Sequence, residues 1–178
     1  WQTRIVSGNE LSDQELQWAR ELYMNVARKN LELNVFALPM SVFRGFSQSP
    51  AWEYILLYLP VESGGPVDGR PVAIGVSHTP GEAYRPLVAG VDYRYLWPTE
   101  DHDVSTYRQL LLQAVRRART LGKSTIHLGM GAPLEKRRFG ATRQQVSAFI
   151  RSEESYASAQ LLEFAQQHGN PKTSQKAC

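Results

Sequence analysis

The sequence has 178 residues, enough for one domain with a sizeable core, and its apolar (42%) and charged (21%) fractions are ordinary for a globular protein. A net charge of +3 neither demands nucleic acid nor repels an anionic ligand. The single cysteine, Cys178, excludes an internal disulfide and a multi-cysteine metal site. No two histidines have metal-ligand spacing, so no metal is expected.

No apolar run approaches the ~20 residues that span a bilayer, so no membrane span is expected. The N-terminus lacks the basic-then-apolar pattern of a secretory signal, and a cytoplasmic location is the default expectation. The start at Trp1 rather than Met reads as a processed product or as a piece of a larger multidomain protein. One domain is expected over 1–168, followed by a flexible polar tail over 169–178.

Taken in chain order, Arg4 to Ser7 reads as a first strand. Ser12-Asp13-Gln14-Glu15 is a capping box, and Leu16, Ala19, Leu22, Tyr23, Val26 and Ala27 follow at helical spacing, predicting a helix from Ser12 to Lys29. Leu38 to Phe46 is a second, shorter helix. Trp52 to Leu59, Pro71 to His78 and Tyr84 to Trp97 are rich in β-favouring residues and separated by Gly/Pro turns, which predicts an antiparallel meander. Tyr107, Leu110, Leu111, Ala114, Val115, Ala118 and Leu121 share one face of a helix that Asp103 or Ser105 caps and Gly122 ends. Thr125 to Leu128 reads as a short buried strand, Ala132 to Phe139 as one or two helical turns stopped by Gly140, Thr142 to Arg151 as a last strand, and Ser155 to His168 as a closing helix.

This order resembles the GNAT acyltransferase fold, which implies an α/β (α+β) architecture: a mixed, mostly antiparallel sheet flanked by helices. Its sharpest stretch runs from Tyr107 to Ala141. There Tyr107-Arg108-x-Leu110-Leu111, Ala118-x-x-x-Gly122, Ile126-x-Leu128-Gly129 and Lys136-x-x-x-Gly140-Ala141 look like the FemAB-like and BioF2-like branch. The resemblance implies an N-acyltransferase, with acetyl-CoA or a longer acyl-CoA as donor and an amine as acceptor, joined by direct attack on the thioester. It places the donor phosphates at Ser105, Thr106, Tyr107 and Arg108, and the pantetheine arm along the backbone of Tyr95, Leu96 and Trp97. Lys136 and Arg138 become an anion clamp for a substrate, Arg suiting two-point contact and Lys a point charge.

Proton transfer needs a carboxylate, histidine or tyrosine. Asp92, Tyr95 and His127 are the candidates. Asp92 is a polar residue in an apolar run and needs a partner, while His127, in mid-strand, is more commonly a satisfied core residue. Arg116, Arg117, Arg119 and Lys123 read as the solvated side of the central helix. No Gly-x-Ser-x-Gly elbow or Walker loop occurs.

The glycine-rich pyrophosphate loop common in GNAT enzymes is absent from His102 to Tyr107, and Glu100, Asp101 and Asp103 lie beside that place. Two other readings follow: an aminoacyl-tRNA-dependent FemAB-like transferase, whose basic segments track phosphates, and a non-catalytic GNAT-like binding module.

Overall fold

Two alternating faces of one sheet organise the molecule. In the computed structural model, β1 (Gln2–Ser7), β2 (Trp52–Tyr58), β3 (Ala73–His78), β4 (Ala83–Val91) and β5 (Thr125–Ile126) form a five-stranded sheet in chain order. The first three pairings are antiparallel, and β4 pairs with β5 in parallel. A parallel neighbour needs a crossover, which α3 (Thr106–Thr120) supplies. The mixed, mostly antiparallel sheet flanked by helices is the architecture that the element order implied.

Residues 1–29, 37–96, 105–145, 159–160 and 162–163 are described. The chain divides into two compact units, Trp1–Thr142 and Arg143–Cys178. In the second unit, residues 159–160 and 162–163 are helical. The rest of the expected closing helix and the tail over 169–178 lie outside the described residues. Of the expected last strand, residues 142–145 carry no strand and 146–151 lie outside the described residues.

β2 is buried on both faces, so it reads as a continuous apolar run. Tyr54 and Leu56 join Ile74, Val76 and Val88 beneath α1 (Asp13–Lys29) and α2 (Met40–Ser47). Ile55 and Leu57 join Tyr84, Leu110, Ala114 and Ala118 beneath α3. Each fully buried Leu or Ile contributes about 1.5–3 kcal/mol relative to leaving it exposed.

α1 starts at the expected capping box: the Ser12 N–H donates to Glu15 Oε2 at 2.8 Å, and the Glu15 N–H returns to Ser12 Oγ at 3.3 Å. The helix then crosses β4 at Gly90, where an added Cβ would lie 2.4 Å from Tyr23 N and 2.5 Å from Leu22 C.

The α3 face holds a buried ionic network. Glu53, 5% exposed, accepts from the Tyr84 hydroxyl at 2.6 Å and from Arg117 Nε and Nη2 at 3.0 and 2.9 Å. Arg117 therefore does not belong to a solvated helix side, because the Glu53 carboxylate must be paired to remain in the core.

Two strands differ from expectation. β4 ends at Val91 rather than running to Trp97, because the Asp92 side chain accepts from the Arg94 N–H at 3.0 Å and caps a 3-10 turn over Tyr93–Tyr95. Local side-chain bonding of this kind favours a turn over a ladder. Trp97 itself lies outside the described residues. β5 is short and not buried, since beyond two paired residues only the His127 N–H continues to β4, donating to Tyr84 O at 2.9 Å. No described helix is long and apolar enough to cross a membrane.

Gly90→Ala forces α1 away from β4 and is expected to cost about 2–3 kcal/mol, read from urea unfolding midpoints. An unchanged midpoint contradicts the close crossing.

Candidate functional site

The site is built around the short ladder between β4 and β5. Ala83 pairs with Thr125 and Tyr84 with Ile126, and then the ladder stops while β4 continues to Val91. On its other edge β4 carries a bulge: Val76 pairs with Val88 and Ser77 with Pro86, which leaves Leu87 as the extra residue. Pro86 has no N–H to give, and Leu87 is 61% exposed.

Past β5 the chain turns through Gly129, Gly131 and Ala132, all with positive φ (67°, 79° and 43°). Glycine tolerates this conformation, and Ala132 is strained. Lys136 of α4 (Pro133–Arg138) braces the turn. Its ammonium, 7% exposed, donates to Gly129 O at 3.1 Å and Met130 O at 2.7 Å, and burial pushes its pKa down. In this structure Lys136 holds the chain's own carbonyls, and the clamp expected for a substrate anion is committed to the turn. Gly129 approaches β4 here: an added Cβ would lie 4.0 Å from Pro86 O.

The start of α3 lies after the 3-10 turn that follows β4. The Thr106 N–H donates to Leu96 O at 3.2 Å, and the Thr106 hydroxyl donates to Tyr95 O. These carbonyls tie the turn to the helix. Tyr95 and Leu96 thus anchor α3, and Tyr95 belongs to no strand edge that could pair with a ligand arm. Ser105 is the N-cap residue by backbone position, but its hydroxyl makes no cap bond. Thr106 and Ser105 are buried, whereas Arg108 is half-buried and turned toward α4.

Glu135 meets Arg108 there. Arg108 Nε and Nη2 donate to its carboxylate at 2.6 and 3.3 Å, and Arg138 Nη1 adds a bond at 2.7 Å. The Arg108 bonds hold the Glu135 carboxyl below its ordinary value. Burial pushes the Tyr107 phenol up, and the Glu135 charge adds to the shift.

The proton-transfer candidates occupy different surroundings. Asp92 accepts from Arg94 Nε at 3.0 and 3.2 Å and from Nη2 at 2.6 Å. Burial raises its pKa, but the Arg94 hydrogen bonds outweigh it and leave the carboxyl below its ordinary value. The partner that Asp92 required is therefore Arg94, two residues away. Tyr95 is half-buried with the Arg94 guanidinium 5.6 Å from its ring centre. His127 is exposed at the point where β5 leaves β4, not enclosed in a core strand, because the ladder ends at that residue.

The structure thus gathers Ser105, Thr106, Tyr107, Arg108 and Arg138 around the start of α3, with Tyr95 and Leu96 bonded beneath it. Glu135 and Arg117 are participants whose partners, Arg108 and Glu53, lie far away in sequence. The usable signals were a lone Glu53 within an apolar strand, which requires a cation, and an acid beside the Lys136-Arg137-Arg138 run.

No protein-family model matches the sequence, and no curated protein does. Solved structures do match in fold. A mutant of the BH1408 protein of Bacillus halodurans superposes with a TM-score of 0.59 at 13% identity, covering 85% of this chain and 99% of that one. A Trypanosoma brucei acetyltransferase gives 0.57 at 11% identity, with 85% and 99% covered. Glucosamine-6-phosphate N-acetyltransferase of Arabidopsis thaliana gives 0.54 at 11% identity, with the same coverage.

Lys136→Met removes both carbonyl bonds and is expected to cost about 1–2 kcal/mol at neutral pH. Because the folded pKa of Lys136 is lowered, its protonated form is disfavoured by folding, and the wild type gains stability as pH rises from that folded value toward about 10.4. Urea unfolding should therefore show the variant's deficit growing over that alkaline window, and a deficit that shrinks there contradicts the burial of the ammonium. The mixed, mostly antiparallel five-stranded sheet flanked by helices gives this chain the fold of the GNAT acetyltransferases.

Proposed function

We propose that the chain is a GNAT-type N-acyltransferase that moves an acyl group from acyl-CoA to an amine. The observation that carries this reading is the end of the β4–β5 ladder at Tyr84, which leaves Arg85 to Val91 of β4 with no β5 partner among the described residues, with the start of α3 beyond the far end of the same strand. An extended pantetheine arm contains amides and can complete an unpaired strand edge. A helix N-terminus with an arginine in its first turn favours phosphate.

In this reading the arm lies along 85–91 of β4 and not along Tyr95 to Trp97, since the 3-10 turn has already engaged the Tyr95 and Leu96 carbonyls. Arg108 receives a donor phosphate. The Leu87 bulge redirects the peptide groups of β4 beside the thioester. A neutral amine attacks the thioester carbonyl, a C–N bond forms, the C–S bond breaks, and CoA leaves as thiolate. His127, exposed where the β4–β5 ladder ends, is the group available to accept the amine's proton. Asp92, held ionised by Arg94, orients the turn. The FemAB-like and BioF2-like branch remains the finer reading, supported by the Lys136-to-Ala141 pattern, with Lys136 bracing the turn past β5.

Calorimetric titration with CoA, acetyl-CoA and a long-chain acyl-CoA at low and high salt tests the proposal. Saturable binding is expected, weakened about tenfold by Arg108→Ala. Absence of binding to all three donors sinks the proposal. Binding of tRNA that falls steeply with salt would replace it with the tRNA-dependent reading.

A further inference from the structure

The Arg108–Glu135 pair is the polar link seen between α3 and α4 among the described residues. Its geometry is a two-point grip, Nε and Nη2 of one guanidinium on the two oxygens of one carboxylate, at 2.6 and 3.3 Å. A phosphate would present two oxygens to the same fork. Arg138, from the next turn of α4, adds a third bond to the same carboxylate at 2.7 Å. The arginine that the acyl-CoA reading assigns to a donor phosphate is therefore already occupied by an anion, and that anion belongs to the chain.

We propose that Glu135 is a built-in competitor for the donor: it holds Arg108 while the site is empty, and a phosphate of the incoming CoA thioester displaces it. This inference rests on the acyl-CoA reading of the site. The exchange is feasible because the pair is open to water, with side chains 38% and 22% exposed, and exposed pairs are held weakly. A phosphate carries more charge than a carboxylate and wins the guanidinium when the rest of the donor is anchored along β4. Arg138 keeps hold of the displaced Glu135, so the carboxylate is never left without a cation.

The displacement has a mechanical consequence. Glu135 adjoins Lys136, whose ammonium holds the carbonyls of Gly129 and Met130 in the turn past β5. Releasing the Arg108 latch frees α4 from α3, and α4 carries the brace of that turn with it. Gly129 lies against Pro86 of β4, where an added Cβ would be 4.0 Å from Pro86 O, so donor binding at the helix is relayed to the end of the β4–β5 ladder. The competitor also imposes a selection: only a donor with an anion to offer Arg108 opens the latch.

The test is a calorimetric double-mutant cycle with CoA as the probe, using wild type, Glu135→Gln, Arg108→Ala and the double variant. Glu135→Gln should bind CoA about threefold to tenfold more tightly than wild type, and this gain should vanish in the Arg108→Ala background. A merely structural role for the pair predicts weaker binding by Glu135→Gln alone and no further loss in the Arg108→Ala background. Wild type that binds CoA, with Glu135→Gln equal or weaker, overturns the competitor and leaves the acyltransferase reading standing. Binding by Glu135→Gln alone supports the competitor. Failure of both to bind CoA overturns the competitor and the acyl-CoA reading together. Circular dichroism melts establish folding, and if Glu135→Gln does not fold, Glu135→Asp, which draws the carboxylate back by one methylene, carries the same expectations.

Discussion

β4 changes partners along its length: Ala83 and Tyr84 pair with β5, and from Arg85 to Val91 its ladder, among the described residues, runs to β3 alone. The rest of the site depends on that asymmetry. Peptide groups on a strand edge without a ladder partner must be satisfied by other parts of the chain, by water or by a ligand. Tyr84, the last β4 residue with a β5 partner, has its side chain locked in the core beneath α3. Its hydroxyl donates to Glu53, which Arg117 of α3 grips with two nitrogens. Strand β2, strand β4 and the crossover helix are thus joined by one buried carboxylate, and removing a partner from such a pair costs about 3–5 kcal/mol. Burial and the Glu53 charge push the Tyr84 phenol well above its ordinary value, so it stays neutral and able to donate.

The helix that leaves this junction returns its first turn to the far end of β4. There the 3-10 turn, capped by Asp92, spends its last carbonyls on Thr106. The arrangement separates two tasks along one strand. The bulged and unpaired part of β4 suits an extended, amide-bearing chain, and the helix start with Arg108 suits negative charge. Glu135 links the second task to the turn past β5 through its neighbour Lys136. Charges at this site are paired within the chain, which explains how a helix start without a glycine cradle keeps an arginine in place.

Much of this was legible in the sequence. The Ser12–Glu15 box, the apolar spacing of α1 and α3, and the Gly/Pro punctuation of the meander each reflect a local rule that the tertiary structure obeys. The parallel placement of β5 followed from the helix inserted before it. What local rules could not supply were long-range partners. Tyr93 and Tyr95 look like strand residues, and only the competition of the Asp92 carboxylate for the Arg94 N–H turns them out of the sheet. Arg117 looked solvated because Glu53 lies 64 residues away in sequence. Nothing local shows that the Gly129 and Met130 carbonyls fold back onto Lys136. His127 read as buried because its strand is apolar, whereas its exposure is set by how soon the ladder ends.

The most direct test of this account is an amide chemical-shift titration with a non-hydrolysable acyl-CoA thioether. The account predicts shifts concentrated at Arg85 and 87–91 of β4 and at 105–108 of α3, with β1 and the β1-facing edge of β2 unmoved. Shifts confined to other elements, or none at saturating analogue, would contradict a donor seated along β4 beyond its ladder with β5.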